Sequence, residues 1–147
     1  MNSKSVMDDN DRAAIERACM RLIVQYAYLN DERRFEELAQ LFTEDAVLYR
    51  PSAPEQAIVG RAQILAAFSR RPADTATFHC CSDMLVEVEH AGAACARSRI
   101  LMLSAPREHG EVMAGAARPP VPGVFDDRFA LTADGWKFAQ RRGSFWI

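Results

Sequence analysis

Much that would narrow the chemistry of this chain is missing from it. No apolar run approaches the ~20 residues needed to span a bilayer, and the opening MNSKSVMDDNDR has no apolar segment of a secretory signal. A cytoplasmic protein without a membrane span is the expectation. The net charge is only −2, so nothing electrostatic favours nucleic acid or an anionic membrane surface. The 4 cysteines, Cys19, Cys80, Cys81 and Cys95, contain no C-x-x-C pair. Cys80 and Cys81 are neighbours that would point to opposite faces of a strand, so a bond between them would be strained and reduced thiols are expected. Histidine is scarce, at 3 residues, and no pair of His, Cys, Asp or Glu has metal-ligand spacing. G-x-S-x-G, G-x-G-x-x-G and G-x-x-x-x-G-K-[ST] are all absent, which leaves ordinary nucleophile, dinucleotide and nucleotide enzymes without support. No internal repeat is present, and no cofactor is expected.

What is there reads as one domain over residues 1–147, 49% hydrophobic and 26% charged, long enough to bury a sizeable core. Residues 1–8 are expected to be a flexible tail. Asp8, Asp9, Asn10 and Asp11 offer helix N-caps, after which Ile15, Ala18, Cys19, Leu22, Ile23 and Tyr26 recur at helical spacing. A polar joint at Asn30-Asp31-Glu32 leads into a second helix from Arg33 or Arg34 to Phe42, with Phe35, Leu38, Leu41 and Phe42 on one side. Thr43-Glu44-Asp45 ends it. Ala46–Arg50 is a short strand stopped by Pro51, and residues 51–59 form a loop with a strand fragment at Ala57–Val59. Ala62 to Ser69 is a third helix. The remainder alternates as strands: Thr75–Glu89, Ala93–Leu103, a long Pro- and Gly-rich connection over 104–123, then a hairpin of Val124–Leu131 and Trp136–Arg142 with an aromatic tail. Helices first and strands later predict an α+β fold, three helices on a curved antiparallel sheet that leaves a cone with a hollow mouth.

Several side chains in this layout could carry chemistry. Asp31, at the joint, is placed either to cap the second helix or to accept from an imidazole. Tyr28 is three residues before it and would share its face. His79 lies in the first long strand but on the parity opposite to Met84, Val86 and Val88, so either it faces away from them or a β-bulge around Cys81–Asp83 re-aims it. Asp127 shares parity with Phe125, Phe129 and Leu131. A carboxylate on an apolar face must be paired, protonated or lining a cavity, and Arg99 or Arg141 is a candidate partner. Asp126 and Arg128 then point outward. Tyr28 and Tyr49 could present phenols to a substrate oxygen, or simply add area to the core.

Four segments taken in order carry a resemblance: IERACMRLIVQYAYLNDERRFEELAQLFTEDAVLY, GRAQILAAF, FHCCSDMLVEVEHAGAACARSR and VFDDRFALTADGWKFAQRR. Together they resemble a SnoaL-like member of the nuclear transport factor 2-like superfamily over about Asp11 to Trp146. The resemblance implies a cone-shaped α+β barrel, usually a homodimer and sometimes a homotrimer, enclosing a small hydrophobic molecule. Among its enzymes the chain is similar to the scytalone dehydratases and lindane dehydrochlorinases, where an aspartate just past the first helix orients a proton-abstracting histidine. Asp31 and His79 fall on those positions. Tyr49 resembles a substrate-contacting tyrosine of the dehydratases; Arg141 and Phe125 resemble an active-site arginine and a pocket aromatic of the dehydrochlorinases. The second dehydratase histidine has no clear counterpart, and the dehydrochlorinase lysine falls near Tyr26. The implied activity is a cofactor-independent lyase or isomerase: dehydration, elimination or a double-bond shift on a small cyclic or polyketide-like compound. The superfamily also implies two alternatives, a non-catalytic subunit like the small subunit of ring-hydroxylating dioxygenases and a polyketide-cyclase-like aldol enzyme.

Overall fold

The computed structural model describes residues 6–147. The tail expected over 1–8 lies outside the described residues as far as residue 5. Beyond it, Met7 packs against the core, and the Asp8 carboxylate accepts from the Asp11 N–H at 2.7 Å, capping the first helix. That helix, α1 (Asp9–Asp31), buries Ile15, Cys19, Leu22, Ile23 and Tyr26, the stripe its spacing predicts. It ends where Arg33 takes a left-handed φ of 58°. The Arg33 guanidinium donates to the carbonyls of Arg71 (2.8 Å) and Pro72 (3.1 Å), tying this joint to the end of the third helix.

The second helix is shorter than expected. α2 covers only Phe35–Ala39, because Leu38 and Ala39 already complete its buried side. Phe42 instead opens a strand, β1 (Phe42–Arg50), so Thr43-Glu44-Asp45 lies within that strand rather than ending a helix. The expected loop over 51–59 is a second strand, β2 (Ala53–Val59), paired with β1. α3 (Arg61–Ser69) follows, with Ile64, Ala67 and Phe68 buried.

Four long strands complete the sheet: β3 (Thr75–His90), β4 (Ala93–Glu108), β6 (Val121–Thr132) and β7 (Gly135–Phe145), with a two-residue β5 (Glu111–Val112) added to β4. The order is β2-β1-β7-β6-β4-β3, antiparallel except for the parallel β1–β7 pair. Three helices and a strongly curled mixed sheet thus make the α+β half-barrel. The connection expected over 104–123 is a correction. β4 runs on to Glu108, and β6 starts at Val121. Pro106 and Pro122 sit near strand ends, where a missing N–H is tolerated. No helix among the described residues is long and apolar enough to cross a membrane.

β3 resolves the parity conflict at His79. Ser82 pairs with Arg99 but Leu85 with Arg97, so β3 spends one residue more than β4 across this step. The irregularity falls at Asp83, whose φ is 52°. This is the bulge between Cys81 and Met84. It lets Thr77, His79 and Cys81 face the helices together with Met84, Val86 and Val88.

Tyr26 is the hub of the core. Its ring stands edge-on to Phe42, Phe68, Phe125 and Phe138 at centroid distances of 6.0–6.1 Å, the geometry that ring quadrupoles favour. Gly143 on β7 lets the chain close over this cluster. A Cβ there would stand 2.5 Å from Pro51 Cγ and 2.8 Å from Phe125 Cε1.

Candidate active site

Asp31 does not cap α2. The cap position is Arg34, and no side chain bonds there. The Asp31 carboxylate turns instead to β3, the edge strand of the sheet, whose outer N–H groups have no strand partner. Oδ2 accepts from the backbone N–H of His79 at 2.8 Å, and Oδ1 from the Thr77 hydroxyl at 2.8 Å. Oδ1 also meets His79 Nδ1 at 2.5 Å. In the neutral ring a carboxylate at this distance favours hydrogen on Nδ1, the tautomer whose free lone pair is on Nε2. The pair is largely shielded, with side-chain exposures of 12% for His79 and 19% for Asp31.

His79 lines a cavity of about 240 Å³ between α1, α3 and the curled sheet. Tyr26, Phe68, Ile100, Met102, Phe125 and Phe145 supply its apolar wall, and Asn30, Arg50 and Arg71 supply polar atoms. On its other side the Asp31–His79 pair borders an outer groove with Tyr28, Phe78 and Cys80. The Cys81 thiol, inward on the same strand, has its pKa raised by burial, which makes it a poor nucleophile. Among the described residues no three His, Cys, Asp or Glu side chains are grouped to hold a metal ion.

The other expected site residues divide. Phe125 lines the cavity. Tyr28 does not: it is 64% exposed and borders the outer groove. Two helical positions from the inward Tyr26 is a rotation of roughly 200°. Tyr49 is also displaced from the cavity. It follows the buried Leu48 on β1 and so points to the opposite face, where the Arg142 guanidinium covers its ring at 3.8 Å. Asp127 and Arg141 meet each other beneath the cavity and do not line it. Their side chains are fully buried, with Arg141 Nε 3.3 Å from Asp127 Oδ1. That contact has the distance of an ion pair but not the direction of a hydrogen bond, and neither side chain finds another partner. Arg141 is held by aromatic faces, its guanidinium carbon 3.8 Å from the Phe125 centroid and 4.2 Å from that of Tyr26. Asp126 points outward to Arg97 at 3.0 Å, as its parity predicts.

Burial pushes the Asp127 carboxyl from 3.8 up to about 7, against the opposing pull of Arg141 and with a small addition from Asp126. An acid whose folded pKa is raised stabilises the fold below its unfolded pKa, and that contribution disappears as pH climbs through the folded value. Stability is therefore expected to fall between about pH 4 and about pH 7, by at most on the order of 4 kcal/mol. Urea unfolding on either side of that window should show the slope in the native protein and lose it in Asp127→Asn. Equal slopes in both would show that Asp127 is ionised throughout.

Residues 11–142 match the family described as SnoaL-like domain. The chain belongs to that family. No curated protein matches it by sequence. Among solved structures, a Novosphingobium aromaticivorans DSM 12444 protein provisionally named scytalone dehydratase is similar at 24% identity and TM-score 0.78, covering 95% of this chain and 89% of its own. The hexachlorocyclohexane dehydrochlorinase LinA-type3 of Novosphingobium barchaimii LL02 gives 19% identity and TM-score 0.77, covering 95% and 92%. At such identities a structural likeness speaks for the fold alone. The SnoaL-like cone is that fold, and these residues are what this member has placed in it.

Proposed function

We propose that this SnoaL-like protein is a cofactor-independent lyase or isomerase in which His79 removes a proton from carbon. The reading is carried by one observation: the Asp31 carboxylate holds His79 Nδ1 at 2.5 Å in the wall of a mainly apolar cavity. Asp31 sets the tautomer and favours the positive charge that imidazole gains as it takes the proton. Exclusion of water by Phe68, Ile100, Met102 and Phe125 strengthens both effects. The electron pair left on carbon then moves into a neighbouring carbonyl or expels a leaving group, giving an isomerisation, a dehydration or an elimination. The dehydratase and dehydrochlorinase names of the structural neighbours fit this chemistry.

The cavity limits the substrate. An apolar void of about 150 Å³ holds one benzene molecule, so about 240 Å³ fits a single ring with small substituents. The test is incubation of the native chain in heavy water with a panel of monocyclic ketones, hydroxyketones and halides, followed by NMR. Deuterium incorporation at an activated carbon, or release of water or halide, is the expected result. A panel that stays inert while bound in the cavity would favour the ligand-binding reading.

We also propose a homodimer or homotrimer built on the outer face of the sheet. Phe78 and Leu103, paired across β3 and β4, are exposed there along with Leu85 and Leu101, side chains of the apolar kind that contact surfaces use. Sedimentation should give a multiple of 16.4 kDa; the single-chain mass would remove the idea.

A further inference from the structure

Two arginines reach the cavity without an anion to meet them. Arg50, at the end of β1, and Arg71, just past α3, both line it. Neither belongs to an ion pair among the described residues. Arg50 Nε is buried with no hydrogen-bond partner. Arg71 is half-buried and held in place: Nη1 donates to Asn30 Oδ1, and the guanidinium lies 5.7 Å from the Phe35 ring and 6.0 Å from that of Phe68. Burial pulls the Arg71 pKa down; the Arg33 and Arg50 charges add to that, while Tyr26 and Asp31 oppose it. The nearby carboxylate, Asp31, already takes three hydrogen-bond contacts from Thr77 and His79. Two cations beside apolar rings cost free energy until something negative completes them. The planar fork of a guanidinium matches a carboxylate best.

We propose that Arg50 and Arg71 clamp a carboxylate of the substrate, so that the ring compound presented to His79 is an organic acid. This rests on reading the cavity as the site of His79 chemistry, and it specifies the substrate class. The acid group sits on the Arg50–Arg71 side, and the ring lies along Phe68, Ile100 and Phe125. A neutral analogue of the same shape leaves both guanidinium groups unanswered.

Calorimetry on the full chain, with benzoate and cyclohexanecarboxylate against benzamide and cyclohexanecarboxamide, tests this. The acids should bind at least about tenfold more tightly than the amides, the difference expected of charge-assisted hydrogen bonds. Arg50→Met and Arg71→Met should each remove most of that preference and leave amide binding nearly unchanged. Arg71→Met also breaks the contact to Asn30, so Arg50→Met carries the test if Arg71→Met fails to fold. His79→Ala should keep the acid preference, which separates this proposal from the base: neither acid carries an activated C–H, so their binding reports the clamp alone, while exchange in the ketone, hydroxyketone and halide panel reports His79. Equal binding of acid and amide, no binding by any of the four, or an unchanged acid preference in Arg50→Met would overturn it.

Discussion

His79→Ala is expected to lower kcat/KM for carbon-to-solvent proton exchange by about 10²–10⁴-fold, the range a positioned general base contributes. The loss should fall in kcat rather than KM, because the imidazole acts on the proton in flight while the apolar wall and the arginines hold the ground state. Asp31→Asn should lose at least about 10²-fold, since it removes the charge that favours imidazolium while keeping the side chain's shape. The double variant should be little worse than either single one, because the two residues act as a unit. Additive losses would mean that Asp31 works independently of His79. A His79→Ala enzyme with native turnover would end the proposal.

Tyr26→Ala is expected to destabilise the protein by about 3–5 kcal/mol, the usual loss when a large buried aromatic is truncated, and to lower Tm by roughly 10 °C for a chain of this length. The size follows from position. Tyr26 is 4% exposed, meets four phenylalanine rings edge-on and lies under the Arg141 guanidinium. Its removal would also open the cavity wall, so ligand binding should weaken in the variant even where it remains folded. Tyr26→Phe keeps the ring and should cost less than about 1.5 kcal/mol. Thermal and urea unfolding measure both. A Tyr26→Ala protein within 1 kcal/mol of the native one would mean the cluster relaxes around the gap.

Parity makes a good part of this site legible on β3 and β6, and the departures lie where it does not reach or is left unused. His79 and Met84 could share a face only across an extra residue, and the structure supplies it at Asp83. Asp127 was placed inward by its alternation with Phe125 and Phe129, and it is buried against Arg141, one of the two partners considered. The same rule applied to β1 would have turned Tyr49 outward and Arg50 inward, since Arg50 shares its face with Ala46 and Leu48. Locally, an arginine before a proline reads as the solvated end of a strand, so Arg50 alone carries no inward signal. Arg71 had no such signal. It is placed by Arg33, whose guanidinium holds the backbone of Arg71 and Pro72, a contact between segments remote in the chain. Local pattern also misjudged the ends of elements. Phe42 could serve α2 or β1 equally well as an apolar residue, and pairing with β7 decided it. Pro106 and Pro122 read as breaks, yet both lie within strands.

The pairing of Asp31 with His79 can be tested without knowing the substrate. Two-bond ¹H–¹⁵N correlation of the histidine rings reports which nitrogen of neutral His79 carries hydrogen. Hydrogen on Nδ1 in the native protein, with that preference lost in Asp31→Asn, is the predicted result. Hydrogen resident on Nε2 in the native protein would leave no lone pair toward the cavity and would contradict the role given to His79.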